Sequence, residues 1–325
     1  MKLATTYLGI RLPSPLVVGA SPLTDDLDTV RQLEDAGAAA LTLRSLYEEE
    51  ITGEQMASLY YGESHDGSSA EAVSYFPEAE LAPGPDEYLE HLRQVKATVQ
   101  IPVIASLNGV TASGWTSCAR QIEEAGADAI ELNLYNSASD ADSSAAEVES
   151  RMIQIVHDVK QQIRIPVAAK LSSRFTSFAN FASQLDAAGV DGFVLFTRFH
   201  RIDIDVLELE VLRSIQLSNS GDLERRLKGI AVLAGRVRAS LAVTGGVHTA
   251  LDVIKSTMTG AHVTQLVSAI MANGPRHLIK LRKEVEEWLG ENEWNSLDEM
   301  RGNMGFQRIP NPGAYERESF MRLFR

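Results

Sequence analysis

Apolar residues along this chain fall into two alternating patterns. Short unbroken runs such as SPLVVGAS (Ser14 to Ser21) read as strands buried on both faces. The stretches between them, such as DDLDTVRQLEDAGA with Leu27, Val30 and Leu33, space their apolar residues three apart and read as helices with one buried side. Two recurrences mark the joints. DAGAAAL (from Asp35), EAGADAI (from Glu124), AAGVDGF (from Ala187) and TGAHV (from Thr259) each set a glycine just before an apolar run, as expected where a helix ends and a buried strand begins. IPVIASL (from Ile101) and IPVAAKL (from Ile165) start two further strands behind a proline. The pattern predicts eight strands: Leu16 to Ala20, Ala40 to Arg44, Val103 to Leu107, Ala129 to Leu134, Val167 to Leu171, Gly192 to Thr197, Ser240 to Thr244 and His262 to Val267.

Eight buried strands alternating with helices fit an α/β fold of the (β/α)8 TIM barrel type, a single domain with inserted loops and a C-terminal tail. A doubly wound open sheet is the alternative; it fits less well because no GxGxxG opens the first unit. The barrel is expected over residues 1–290. Two connections are too long to be simple, at about 46–85 and 199–222, and insertions of that kind are commonly covers or contact surfaces. Residues 291–325 turn polar and irregular and are expected to pack along the outside of the barrel.

Composition narrows the function classes. The 325 residues are 44% hydrophobic, enough to fill one large core, and the formal net charge of −14 argues against a nucleic-acid partner. A single cysteine, Cys118, excludes an intrachain disulfide; in the helical stretch GWTSCARQIEEAGA it reads as a small buried hydrophobe. The histidines are scattered and signal no metal site. No apolar run reaches membrane-span length and no signal peptide is visible at the N-terminus, so a cytoplasmic protein is expected.

In such a barrel, chemistry sits just past the strand C-termini. The residues there are Ala20 and Ser21, Arg44 and Ser45, Asn108, Asn133, Lys170, Thr197, Gly245 and Gly246, and Ser268. The glycine pair after the seventh strand lets backbone N–H groups approach an anion, and Val267-Ser268 at the eighth strand adds donors beside it. Lys170 inside PVAAKLSS needs an anionic or electron-rich partner, either a structural salt bridge or a ligand. An anion cradle, an interior lysine and strand-end asparagines suit a phosphorylated planar ring, with the lysine stabilising negative charge gained on reduction.

These pieces together resemble the dihydroorotate dehydrogenase family of flavin mononucleotide (FMN) barrels over most of the chain. GIRLPSPLVVGAS is similar to the family's opening, DEYLEHL to the helix before the third strand, IPVIASLNG and AIELNL to the third and fourth strands, PVAAKL to the fifth, VTGGV to the phosphate loop and SLDEMRG to the closing stretch. The resemblance implies FMN as cofactor, with Gly245, Gly246, Val267 and Ser268 on its phosphate and Ala20, Asn133 and Lys170 along its ring. Ser21, Arg44, Asn108 and Thr197 complete the expected cofactor set.

The departures lie on the substrate side. Leu43-Arg44-Ser45 stands where the family has T-K-S, keeping a cation of different shape. The family's N-L-S-C-P-N loop reads Asn133-Leu134-Tyr135-Asn136-Ser137-Ala138 here, so Asn136 occupies the position of the catalytic base and Ser137 is the candidate replacement. Phe76-Pro77-Glu78 replaces L-P-N, and a carboxylate at Glu78 would repel the anion orotate. Asn133, Asn136 and Glu78 are the expected substrate-side residues, Lys170 and Ser137 the expected catalytic ones. The resemblance implies an oxidoreductase of CH–CH bonds with dihydroorotate as default substrate, in pyrimidine biosynthesis. A flavin-binding subunit or regulatory barrel without the proton-transfer step is the second reading, and a flavin-free barrel for a phosphorylated metabolite the third. The partners expected are a small-molecule substrate, a redox partner protein and, as a further possibility, a second copy in a homodimer.

Overall fold

The computed structural model of the chain describes residues 2–48, 85–109, 111–134, 141–197, 203–207, 210–212 and 216–322. Its centre is a closed parallel barrel of eight strands: β3 (Leu16–Val18), β4 (Ala40–Tyr47), β5 (Val103–Asn108), β6 (Ala129–Asn133), β7 (Val167–Leu171), β8 (Gly192–Leu195), β11 (Ser240–Thr244) and β12 (Val263–Leu266), with β12 returning to β3. The eight predicted strands are these eight, within a few residues at each end. Helices between them form the outer layer, and the four joint glycines, Gly37, Gly126, Gly189 and Gly260, all have positive φ, between 91° and 126°. Only glycine takes that conformation without a Cβ clash, which is why the same punctuation recurs.

The alternation of side chains along each strand builds two shells. Leu41, Val103, Ile130, Leu132 and Leu171 face outward into the layer shared with the helices. Val17, Ala40, Ile104, Ala129, Ala168, Val194, Ala242 and Val263 face inward, small residues filling the lower interior. Beneath them lies an antiparallel hairpin that the apolar pattern does not reveal, β1 (Thr5–Tyr7) and β2 (Ile10–Leu12), whose Tyr7, Leu8 and Leu12 pack against that floor. A second small hairpin, β9 (Asp203–Asp205) with β10 (Glu210–Leu212), lies in the connection after β8.

The C-terminal segment meets the barrel from the N-terminal side. Leu297 donates its N–H to the Lys2 carbonyl, Leu297 and Met300 are fully buried, and Arg301 bonds to both the Ala261 carbonyl and the Thr5 hydroxyl. None of the described helices is long and apolar enough to cross a membrane.

One irregularity positions the site. In β4, Thr42 pairs with Ile104 but Ser45 pairs with Ser106, so three steps on β4 face two on β5. The bulge turns Ser45 inward, its hydroxyl 2.7 Å from that of Ser106, and sends Arg44 outward.

Candidate active site at the barrel mouth

The C-terminal ends of the strands surround a cavity of about 340 Å³, within the usual range for a cofactor site. Its wall contains Ala20, Ser21, Asn133, Lys170, Thr197, Gly245, Gly246, Val267 and Ser268. Nine of the expected cofactor residues are thus brought together. Arg44 is not among them. The bulge puts it in a separate polar cleft with Asp25, 3.5 Å from that carboxylate, while Ser45 takes the inward position at the cavity. Asn108 ends β5 beside Tyr47 and is buried, without lining the cavity. Glu78, Asn136 and Ser137 lie outside the described residues.

The glycine pair makes one end of the cavity. Gly245 and Gly246 have φ of 83° and 81°, and a Cβ on Gly246 would collide with the backbone of Asp222 and Leu223. Beneath Gly245 the buried Arg226 guanidinium donates to the carbonyls of Thr244 and Asp222, tying β11 to the turn Ser220–Leu223. Ser218 closes the same end. Its hydroxyl accepts from the Gly246 N–H at 3.3 Å and stands 3.0 Å from His248 Nε2, and its own N–H donates to Ser268 Oγ at 3.0 Å. Asp252 anchors the arrangement from below. It accepts from Ser220 Oγ at 2.7 Å and from the N–H groups of His248 and Thr249. Burial pushes the Asp252 pKa up, but these hydrogen bonds outweigh it and leave the carboxyl below its usual value. Burial also lowers the His248 pKa, against an opposing pull from Asp252.

The other end is an ion pair on the barrel axis. Lys170 Nζ lies 3.0 Å from Glu131 Oε1, and Gln265 Nε2 donates to Glu131 Oε2 at 2.6 Å. The Glu131 side chain is 1% exposed and that of Lys170 12%, so the carboxylate is sealed while the ammonium borders the cavity. Lys170 therefore has the structural partner and the cavity position at once. Gln265 also lines the cavity, and its Oε1 is buried without a hydrogen-bond donor from the described residues. Thr197 Oγ1 donates to Asn133 Oδ1 at 3.1 Å, holding the amide at the mouth. Leu217 and Met271 form an exposed apolar rim.

Sequence reasoning missed Glu131, Gln265 and Ser218. Glu131 sits in AIELNL and Gln265 in HVTQLVS, each a polar residue in a strand that is otherwise buried, and that mismatch was the available signal. Ser218 opens SNSGD, whose Asn219 and Asp222 form a capping box at the turn. Cys118 is buried away from this site, its thiol pushed up to about 11, first by burial and then by the charge of Glu48.

Comparison with known proteins points to one family. A family model described as dihydroorotate dehydrogenase matches residues 78–289. The catalytic subunit of dihydroorotate dehydrogenase B (NAD(+)) of Thermoplasma acidophilum is 26% identical, over 92% of this chain and 98% of that protein. Its counterpart in Thermoplasma volcanium is 27% identical, over 92% and 97%. The NAD-dependent dihydropyrimidine dehydrogenase subunit PreA of Escherichia coli is 24% identical, over 95% of this chain and 78% of its own length.

Proposed function

The chain belongs to the dihydroorotate dehydrogenase family of oxidoreductases, and from that premise we propose that it binds FMN in the barrel-mouth cavity and acts on a CH–CH bond of a small cyclic substrate. When bound, FMN supplies a ring that takes up or returns a hydride. The observation that carries this reading is the joining, in one cavity, of a glycine anion cradle with an interior ammonium. At the cradle, Gly245 and Gly246 hold a positive-φ turn packed against Arg226 and the backbone of Asp222 and Leu223, Ser218 and Ser268 offer polar groups, and the buried Arg226 places a cation behind them for a phosphate. At the ring end, Lys170 favours negative charge on the cofactor, and Gln265 Oε1 is an acceptor that a ligand N–H would satisfy. The residues present fit the group.

Dihydroorotate is the family default, and both Thermoplasma relatives are named for it. The base position here is Asn136, which cannot accept a proton usefully at neutral pH, and Ser137 beside it is a weak base without an activating neighbour. The reading therefore commits to the flavin half and to a small cyclic substrate less acidic than dihydroorotate. Three relatives are named as subunits, which supports a partner protein as the route for electrons.

Purified protein is expected to carry noncovalent FMN, visible as flavin absorption and identified by mass after denaturation. Gly246→Ala should weaken FMN binding by tenfold or more, on the order of 1.4 kcal/mol, without loss of the far-ultraviolet signature of the barrel. A wild-type protein that is colourless and takes up no added FMN would falsify the reading.

A further inference from the structure

We infer that Glu131 is a positioning residue that holds Lys170 as half of a neutral ion pair, and that this pairing sets how readily the bound flavin is reduced. The inference rests on the FMN reading above. Its basis is the geometry of the barrel axis. β6 and β12 are four places apart in the ring of eight strands, yet Gln265 on β12 reaches Glu131 on β6 at 2.6 Å, so the carboxylate stands at the centre of the barrel. Glu131 pairs with Ala168 across β6 and β7, which puts Lys170 one diagonal step nearer the mouth. The charges are therefore stacked in order, carboxylate below and ammonium above, with the cavity on the ammonium side.

Such a pair presents a dipole to the cofactor, not a net charge. The nearer ammonium favours negative charge on the reduced ring, and the deeper carboxylate opposes it over a slightly longer distance. Each Glu131 oxygen has one donor, Lys170 or Gln265, and the nearby phenol of Tyr7 is held well above its usual pKa by burial and by the Glu131 charge. The carboxylate thus has two effects on Lys170. It holds the ammonium in place through the 3.0 Å ion pair, and it offsets part of the attraction that the ammonium exerts once electrons arrive.

Removing the carboxylate separates these effects. In Glu131→Gln the ammonium loses its opposing charge and the site presents a net positive charge to the ring, which makes the flavin easier to reduce.

The test is a redox titration of FMN-loaded wild type, Glu131→Gln, Glu131→Asp and Lys170→Met, with dithionite as reductant and an indicator dye, from pH 6 to pH 9. Glu131→Gln should have a more positive midpoint across this range, and Lys170→Met a more negative one. Glu131→Asp keeps the charge but withdraws it by one methylene, so it keeps the fold and shifts the potential in the same direction as Glu131→Gln by less. Fully loaded Glu131 variants with the potential of wild type overturn the inference while leaving FMN binding intact. Failure of the wild type to take up FMN overturns the cofactor reading itself, and with it the premise.

Discussion

At the scale of single residues, the cavity wall carries polar side chains and glycines where apolar runs end, and Asn133, Lys170, Gly245, Gly246 and Ser268 all border it. Arg44 was misplaced because a period of two, counted from Ala40 and Thr42, sends it inward, and a single bulge between Thr42 and Ser45 reverses the parity. No residue in LTLRSL announces that bulge. Ser218 was invisible for a different reason: it reaches the cradle from an irregular connection, so no periodicity applies to it. Its side chain nevertheless touches both the Gly246 N–H and His248, and its backbone touches Ser268. Ser218→Ala should therefore loosen the phosphate end alone. FMN affinity is expected to fall about tenfold, the worth of one charge-assisted hydrogen bond, while the affinity for riboflavin, which lacks the phosphate, stays unchanged. Equal losses for the two flavins in a fluorescence titration would place Ser218 in the scaffold instead.

At the scale of elements, the repeated helix-to-strand joints carried the fold and do more than turn the chain. Each of three helix-end acids, Glu34, Glu123 and Asp186, stands three residues before a joint glycine and accepts two backbone N–H groups from a neighbouring strand's approach: Gln100 and Ile101, Arg164 and Ile165, Arg238 and Ala239. Asp128 and Asp191, two residues after a joint glycine, each bind a lysine at 2.6 Å and the first N–H of a neighbouring strand. The stretch Glu123 to Asp128 thus encodes the turn together with a brace to the next unit through Glu123 and one to the preceding strand through Asp128. The hairpin of β1 and β2 was not legible, since its strands are three residues long and have no extended alternation. It shares its end of the barrel with His262, whose carbonyl accepts from Thr5 and whose Nδ1 accepts the Leu241 N–H at 2.9 Å. Burial, aided by the charge of Arg301, lowers the His262 pKa from 6.5 to about 4. Because the folded value lies below the unfolded one, the unfolded chain binds more protons between them. This contribution to stability is complete above pH 6.5 and is lost as pH falls toward 4, by about 2 kcal/mol at pH 5. Urea denaturation of His262→Gln should show a shallower loss of stability between pH 7 and pH 5 than wild type. Parallel curves for the two proteins would assign the acid sensitivity to other groups.

At the scale of the whole molecule, a closed barrel was legible because apolar runs and amphipathic helices alternate along the chain, with a glycine joint before four of the strands, and because closure leaves no edge to be satisfied otherwise. The cavity wall is built mainly from strand termini, fixed by the ladder on both sides. The substrate-side residues that the family resemblance implies, Glu78, Asn136 and Ser137, lie outside the described residues. A positioned general base contributes about 10²- to 10⁴-fold in rate, and an asparagine at the base position that the resemblance implies, Asn136, would not supply that contribution. On the same reading Glu78 would repel a carboxylate-bearing substrate, and the chain as a whole carries a net charge of −14. Turnover of dihydroorotate is accordingly expected to be weak or absent, with fumarate, a quinone or NAD as acceptor, in protein fully loaded with FMN. Anaerobic mixing separates the steps: flavin reduction by dihydroorotate should be slow, while a neutral cyclic substrate should reduce the flavin faster. Turnover of dihydroorotate at roughly 1 to 10³ per second, the range of ordinary enzymes, would sink this expectation. Loss of that turnover in Ser137→Ala would then identify Ser137 as a base displaced by one residue.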